Sequence, residues 1–154
     1  MDKINYNKED LIGHDAVAAV IKNEKGEMLV QEHVKYGFWT IPVGKVKTGQ
    51  TLEEGLKEEI RDECNIEIVR CREIATKKYK YERNGTDVDV RSHLFEVPEY
   101  SGSMKNNEPN KHKQQIFLPL DKIKELPYLS DMTLLYLETV GVKRAERIAR
   151  SKTY

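Results

Sequence analysis

One short stretch of this chain carries a dense group of acidic side chains. Six carboxylates stand within eleven consecutive positions, at Glu53, Glu54, Glu58, Glu59, Asp62 and Glu63. Like charges three or four residues apart on a helix repel each other, and each such pair costs about 0.2–0.5 kcal/mol. This crowding is typical either of a solvated acidic helix face or of a site that holds a positive ion.

Three of these carboxylates share one face if the stretch is helical. At about 100° per residue, Glu59 and Glu63 lie one turn apart and Asp62 lies beside them. Carboxylate oxygens of this kind suit Mg²⁺ or Mn²⁺, whose remaining positions water and phosphate can fill. The alternative is a solvated face on which Lys57 and Arg61 partner the acids.

The segment before this helix favours the metal-site interpretation. Gly44 and Gly49 lie in a loop at residues 42–51 and permit a close approach of the backbone to a ligand. Lys45 follows the first glycine and carries a charge suited to a phosphate group. A metal ion held by the helix would bridge it to a phosphorylated ligand bound at this loop.

Local patterns predict the elements that position these residues. Thr51 and Glu54 form a capping box that starts the acidic helix, and Asn65 is a suitable residue to end it. The other elements are predicted as a β-hairpin of residues 14–22 and 28–33, further strands at 36–42, 66–70, 73–81, 88–97 and 115–118, and helices at 120–126 and from 130 onward. A long polar loop is predicted at residues 101–113.

Composition places the chain among globular proteins. Its 154 residues predict one domain of α/β (α+β) class, with a mixed β-sheet covered by helices on two faces. The formal net charge of zero argues against a whole-protein electrostatic grip on nucleic acid or an anionic membrane. No signal peptide or membrane span is evident, and Cys64 and Cys71 form no CxxC motif, so a cytoplasmic location with reduced thiols is expected.

The loop and the acidic helix together resemble a known motif, the Nudix box. Gly44 stands at the position of its first glycine, Glu59 and Glu63 match its glutamates, and Ile66 matches its closing aliphatic residue. Asp62 stands where the family has another glutamate. Trp39 and Pro42 resemble the usual lead-in to the box. The resemblance implies a Nudix fold, an α/β/α sandwich, for residues 1–154.

Three positions depart from the family pattern. Gln50 replaces the first glutamate of the box, Glu58 replaces its arginine, and Asn65 replaces its second glycine. In the family the glutamate and the arginine generally form an ion pair that supports the loop. We expect the Gln50 amide to donate to Glu58 and so keep this tie, and we expect Asn65 to adopt the left-handed conformation of the missing glycine.

The resemblance also implies a chemistry, namely Mg²⁺- or Mn²⁺-dependent hydrolysis of a nucleoside diphosphate linked to a further group X. Metal ligands would then be Glu59, Asp62, Glu63 and the Gly44 backbone, and catalytic residues would be Glu59, Glu63 and Glu108. Lys45, Gly44, Phe38 and Tyr81 are expected to bind the substrate, although a strand tyrosine more often packs in the core. His112, near Glu108, is expected to be a surface residue.

Several alternatives stay open at this point. A nucleoside triphosphate, cleaved to monophosphate and pyrophosphate, is the favoured substrate; ADP-ribose, a dinucleoside polyphosphate and an RNA 5′ end are alternatives. A basic C-terminal helix or tail at residues 143–154 fits either RNA phosphates or a solvated helix end. A third alternative is an inactive nucleotide sensor, and a homodimer, common among similar proteins, is open beside a monomer.

Overall fold

The computed structural model describes residues 11–144. In chain order its strands are β1 (His14–Val20), β2 (Met28–His33), β3 (Trp39–Thr40), β4 (Val43–Lys45), β5 (Glu67–Arg83), β6 (Thr86–Ser101) and β7 (His112–Leu118). The helices are α1 (Leu52–Cys64), α2 (Leu120–Ile123) and α3 (Asp131–Thr139). The predicted basic C-terminal helix or tail falls mostly on residues 145–154, outside the described residues.

The strands form two sheets. One has the order β4-β1-β6-β5, and the other has the order β3-β2-β7. In the first sheet β1 runs parallel to β6, while its other pairs are antiparallel, so this sheet is mixed as predicted. The second sheet is antiparallel throughout.

The predicted hairpin of β1 and β2 is wrong. The two strands separate into different sheets, and only a bridge between Lys22 and Met28, with a bond from Leu29 N–H to Ile21 O (2.9 Å), joins them at the corner. The reason lies in the run from Ala16 to Ile21, which is apolar on both faces and fully buried. Such a run suits a central strand covered on both sides, which β1 becomes between β4 and β6.

Other boundaries also shift. The strands predicted at residues 66–70 and 73–81 are one long strand, β5, whose pairing with β6 is interrupted by register shifts. These irregularities insert the unpaired residues that made the pattern look like two segments. The helix predicted at 120–126 ends earlier, at Ile123, and the strand predicted from Gln115 begins at His112.

Helices cover both faces of the mixed sheet, which confirms the predicted α+β class. On one face, Leu56 and Ile60 of α1 pack with Val17 and Phe95 of the sheet. On the opposite face, Leu135 and its neighbours in α3 pack with the inward residues of β6. Within residues 11–144 no helix is long and apolar enough to cross a membrane.

Candidate active site

Helix α1 begins and ends as its sequence predicts. The Thr51 hydroxyl accepts from Glu54 N–H (3.1 Å), and the Glu54 carboxylate accepts from Thr51 N–H (2.9 Å), which completes the capping box. At the other end Asn65 has φ of 60° and ψ of 32°, the left-handed conformation expected where the family has glycine. Its side-chain amide also donates to Ser103 O (3.1 Å) and so ties the helix end to the following loop.

The loop before α1 is held to the helix through Glu58. The Gln50 amide donates to Glu58 Oε2 (2.8 Å), as expected, and the Lys47 ammonium forms an ion pair with Glu58 Oε1. Gln50 also accepts from Lys47 N–H (3.0 Å). Because Gln50 is uncharged, the ion pair between positions 50 and 58 is replaced by the Gln50–Glu58 hydrogen bond and by the Lys47–Glu58 ion pair, in which the loop carries the cation and the helix the carboxylate.

Gly44 and Glu59 lie in direct contact. A Cβ atom at position 44 would lie 2.4 Å from Glu59 Cγ and 2.7 Å from its Oε2, closer than real side chains approach. Only glycine therefore lets this carboxylate lie against β4. Burial raises the pKa of Glu59, although the nearby Lys111 ammonium opposes this shift, and the carboxylates of Glu108 and Asp62 add to it.

Glu63 is the most buried of the six carboxylates on α1, with 1% of its surface exposed. Its Oε1 accepts from Lys111 Nζ at 2.8 Å, whereas its buried Oε2 has no hydrogen-bond partner among residues 11–144. Burial raises the pKa of Glu63 to about 7, against the opposing effect of Lys111 and with a further contribution from Glu59 and Glu108. Glu63 is thus a carboxylate whose charge needs a cation close by.

The polar loop at residues 102–111 brings Glu108 to the same place. Lys105 N–H donates to Cys64 O (2.9 Å) and Asn107 N–H donates to Glu63 O (3.2 Å), so the loop is fastened to the carboxyl end of α1. Glu108 then lies with its Oε2 buried and 3.7 Å from Lys111 Nζ. The loop therefore places the Glu108 carboxylate next to the end of the acidic helix.

The predicted metal ligands are not all brought together. Asp62 lies exposed beside Glu59, while Glu63 points inward, and within residues 11–144 no three His, Cys, Asp or Glu side chains form a ready metal centre. The donors nevertheless fit a divalent cation, because Glu63 Oε2 is a buried acceptor without a hydrogen-bond partner in the described chain, one helical turn from Glu59.

A cavity of about 830 Å³ opens beside these carboxylates. Basic side chains line it, including Lys45, Lys47 and Lys111, and Glu59 and Gly44 form part of its wall. A cavity with this excess of positive charge suits a ligand that carries several negative charges. Lys45 and Gly44, which were predicted to bind substrate, both line this cavity.

Four ring side chains, which we call the aromatic group, line the same cavity: His33, Tyr36, Phe38 and His112. The His33 ring lies 4.7 Å from Tyr36, 5.7 Å from Phe38 and 5.6 Å from His112, measured between centroids. Burial lowers the pKa of each histidine to about 4, so both rings are neutral at pH 7. His33, Phe38 and His112 are buried, with Phe38 only 1% exposed, so within this group Tyr36 is the half-buried ring on which a flat base can stack.

Three residues lie elsewhere than expected. Phe38, predicted to bind substrate, is only 1% exposed, so it backs the cavity wall from the core and offers no surface to a base. Tyr81 does not line the cavity; it is 5% exposed, packs in the core and donates its hydroxyl to Asp131 Oδ2 (2.8 Å). The prediction that Tyr81 binds substrate is therefore not supported by its position, and core packing is its observed role. His112, expected at the surface, is buried, because it pairs with His33 across β2 and β7.

Sequence reasoning did not assign a role to Lys111, His33 or His112. Lys111 follows Glu108 by three positions, and this spacing was the available signal, since charged side chains so close in a turn often share a partner. The histidines offered no such signal because they meet only through the pairing of β2 with β7.

Comparison with known proteins agrees with this geometry. Residues 13–136 match the Nudix domain. CTP pyrophosphohydrolase of Escherichia coli K12 is 24% identical over 138 residues, 88% of this chain and 96% of that protein. The 8-oxo-dGDP phosphatase NUDT18 of Danio rerio is 37% identical over 54 residues, which are 33% of this chain but span only 17% of that protein.

Solved structures give the same result. The MutT Nudix hydrolase of Burkholderia pseudomallei aligns with a TM-score of 0.70 and 25% identity, covering 83% of this chain and 98% of that one. The MutT protein of Methanosarcina mazei Go1 also aligns with a TM-score of 0.70, at 23% identity, covering 82% and 91%. With its box, its fold and its carboxylate site in place, this chain belongs to the Nudix domain family.

Proposed function

We propose that this chain is a hydrolase of pyrophosphate bonds that depends on Mg²⁺ or Mn²⁺ and acts on a nucleoside diphosphate linked to a further group X. The observation that carries the proposal is the pairing of Glu63 and Glu108 with the Lys111 ammonium, beside a basic cavity that Glu59 and Lys111 line. An acyl or glycosyl substrate would not need this combination of buried carboxylates and lysines. A polyphosphate needs both, because its own charge must be neutralised from two sides.

Each group has a role that follows from its position. Glu59 and Glu63 would hold the cation, which when bound supplies neutralisation of the charge that develops on the phosphates. Lys45, which lines the cavity next to Gly44, would bind a phosphate oxygen. Glu108 accepts the proton of the attacking water molecule, since its Oε2 is left without a hydrogen-bond partner in the described chain.

The favoured substrate is a nucleoside triphosphate, which would yield a monophosphate and pyrophosphate. Two observations support a nucleotide. The aromatic group offers the half-buried ring of Tyr36 for stacking of a base, and the Escherichia coli relative that spans nearly the whole chain is described as a CTP pyrophosphohydrolase. Tyr36→Ala should raise KM for a nucleotide by about 5- to 150-fold, with a smaller change in kcat, because stacking on one aromatic ring is worth about 1–3 kcal/mol.

The test is release of phosphate and of pyrophosphate, measured separately, with Mg²⁺ and with Mn²⁺. Substrates are canonical and 8-oxo nucleoside tri- and diphosphates, including CTP, together with ADP-ribose, a dinucleoside tetraphosphate and 5′-triphosphorylated RNA. Glu63→Gln should abolish turnover, whereas Glu53→Gln removes an exposed carboxylate from the same helix and should not. Nucleotide binding without turnover across this panel would instead favour the sensor alternative.

A further inference from the structure

Lys111 makes an unusual contact for a lysine at the edge of an open cavity. Its Nζ lies 2.8 Å from Glu63 Oε1 and 3.7 Å from Glu108 Oε2. The Lys111 side chain is 47% exposed, whereas the Glu63 side chain is 2% exposed. The ammonium therefore reaches from the cavity onto a buried carboxylate, which would otherwise stay desolvated without a counter-charge.

We propose that Lys111 takes the place of the divalent cation on Glu63 when no metal is bound, and that cation binding releases its ammonium to the phosphates of the substrate. This inference rests on the proposed function, because it concerns the same carboxylates. It adds that the Lys111 ammonium and the divalent cation replace each other at Glu63, so Lys111 takes part in both cation and phosphate binding.

The charges at this site leave room for the exchange. Lys111 Nζ contacts both Glu63 and Glu108, and its single positive charge offsets at most one carboxylate. The Oε2 atoms of Glu63 and Glu108 accept no hydrogen bond within the described chain. A divalent cation satisfies Glu63 Oε2 better than one ammonium on Oε1 does, but two positive groups on the same carboxylate repel each other strongly.

The backbone at Lys111 is fixed, so only its side chain has to move. Lys111 N–H donates to Glu108 O (2.9 Å), and Lys111 O accepts from Val34 N–H (3.0 Å). The flexible four-carbon side chain already lines the cavity that Lys45 and Lys47 also line. Rotation about its side-chain bonds can therefore swing the ammonium from Glu63 into the cavity where the phosphates are proposed to bind.

The exchange predicts that cation and nucleotide bind cooperatively. While Lys111 is paired with Glu63, its charge is not available to a phosphate. Binding of the cation frees that charge, and a phosphate held by Lys111 in turn keeps Glu63 open to the cation. By linkage, each ligand strengthens the binding of the other by the same factor.

The test is calorimetric titration of Mn²⁺ alone into the whole chain, in wild-type form and as three variants. Lys111→Met removes the competing ammonium and should bind Mn²⁺ at least about tenfold more tightly than wild type, because the ion no longer meets a positive charge at the same carboxylate. Lys111→Arg keeps the charge and should stay within about threefold of wild type. Lys113→Met, two positions along on the exposed side of β7, changes the net charge equally and should leave affinity unchanged.

A second assay covers the case in which Lys111→Met is unstable without metal. A ligand that binds only the folded state raises the midpoint of thermal unfolding, so unfolding at increasing Mn²⁺ concentration gives the same affinities. Equal affinity of Lys111→Met and Lys113→Met, with wild type binding Mn²⁺, would overturn the exchange and leave the proposed function intact. Absence of Mn²⁺ binding by every form would overturn both.

Discussion

Replacing Gly44 with alanine tests whether the loop sets the position of the Glu59 carboxylate. The added Cβ would lie 2.4 Å from Glu59 Cγ, 2.6 Å from Cδ and 2.7 Å from Oε2, whereas ordinary contact begins near 3.4 Å. Glu59 must therefore withdraw by about 1 Å, since β4 is held in the sheet by its pairing with β1 and moves less easily than a side chain.

A displacement of this size has a predictable kinetic cost. Misplacing a catalytic group by about 1 Å lowers the rate by about 100-fold, which corresponds to about 2.7 kcal/mol of transition-state stabilisation. We expect kcat/KM of Gly44→Ala to fall by about this factor on the best nucleotide substrate. Its thermal midpoint should change little, because Glu59 can turn toward the open cavity.

The control is Gly26→Ala, a second glycine-to-alanine change in the turn between β1 and β2. Its added Cβ would meet no atom within 4 Å, but its φ of +77° makes alanine strained there. This control should lose stability while its kcat/KM stays at the wild-type value. Unchanged kcat/KM in Gly44→Ala, with the same substrate and metal, would refute the argument that Gly44 positions Glu59.

Three further predictions concern the support of the site and of the fold. Asn65→Val should lower the free energy of unfolding by about 1–2 kcal/mol, because its left-handed backbone disfavours a branched side chain, while Asn65→Gly should cost less; urea denaturation measures both. Gln50→Ala and Glu58→Ala should each reduce stability, and the double variant should lose less than the sum of the two, whereas strict additivity would argue against the contact. Burial raises the pKa of Asp15, but hydrogen bonds from two basic side chains of β6 outweigh it and hold that pKa below its usual value. Since the folded pKa lies below the unfolded pKa, this stabilisation is present at neutral pH and is lost as pH falls through the folded pKa. Asp15→Asn should therefore be less stable than wild type at pH 7 and equal to it at the acid end of a urea-denaturation series, and a difference that persists there would contradict this assignment.

The parts of the site that could be predicted are those set by residues close together in the sequence. Three such features depend only on positions within eight residues of one another. They are the capping box of α1, the left-handed conformation of Asn65 and the Gln50–Glu58 hydrogen bond. Helical periodicity and turn chemistry fix such contacts without knowledge of the rest of the fold. The box that they support was accordingly recognisable from its spacing.

The parts that could not be predicted depend on pairing between distant segments. Lys111 and Glu63 are 48 positions apart and meet only because the loop before β7 is fastened to the end of α1. His33 and His112 become neighbours through the register of β2 and β7. Tyr81 is buried because α3 packs over β5, which no local pattern around residue 81 reveals.

The central claim is that the buried carboxylate of Glu63 takes part in cation-dependent cleavage of a nucleotide pyrophosphate bond. The most direct measurement compares kcat/KM of wild type, Glu63→Gln and Glu53→Gln for nucleoside triphosphates in the presence of Mg²⁺ or Mn²⁺. We predict a loss of at least about 1000-fold for Glu63→Gln, because a bound cation supplies several kcal/mol of charge stabilisation. Equal turnover by Glu63→Gln and Glu53→Gln would contradict the account.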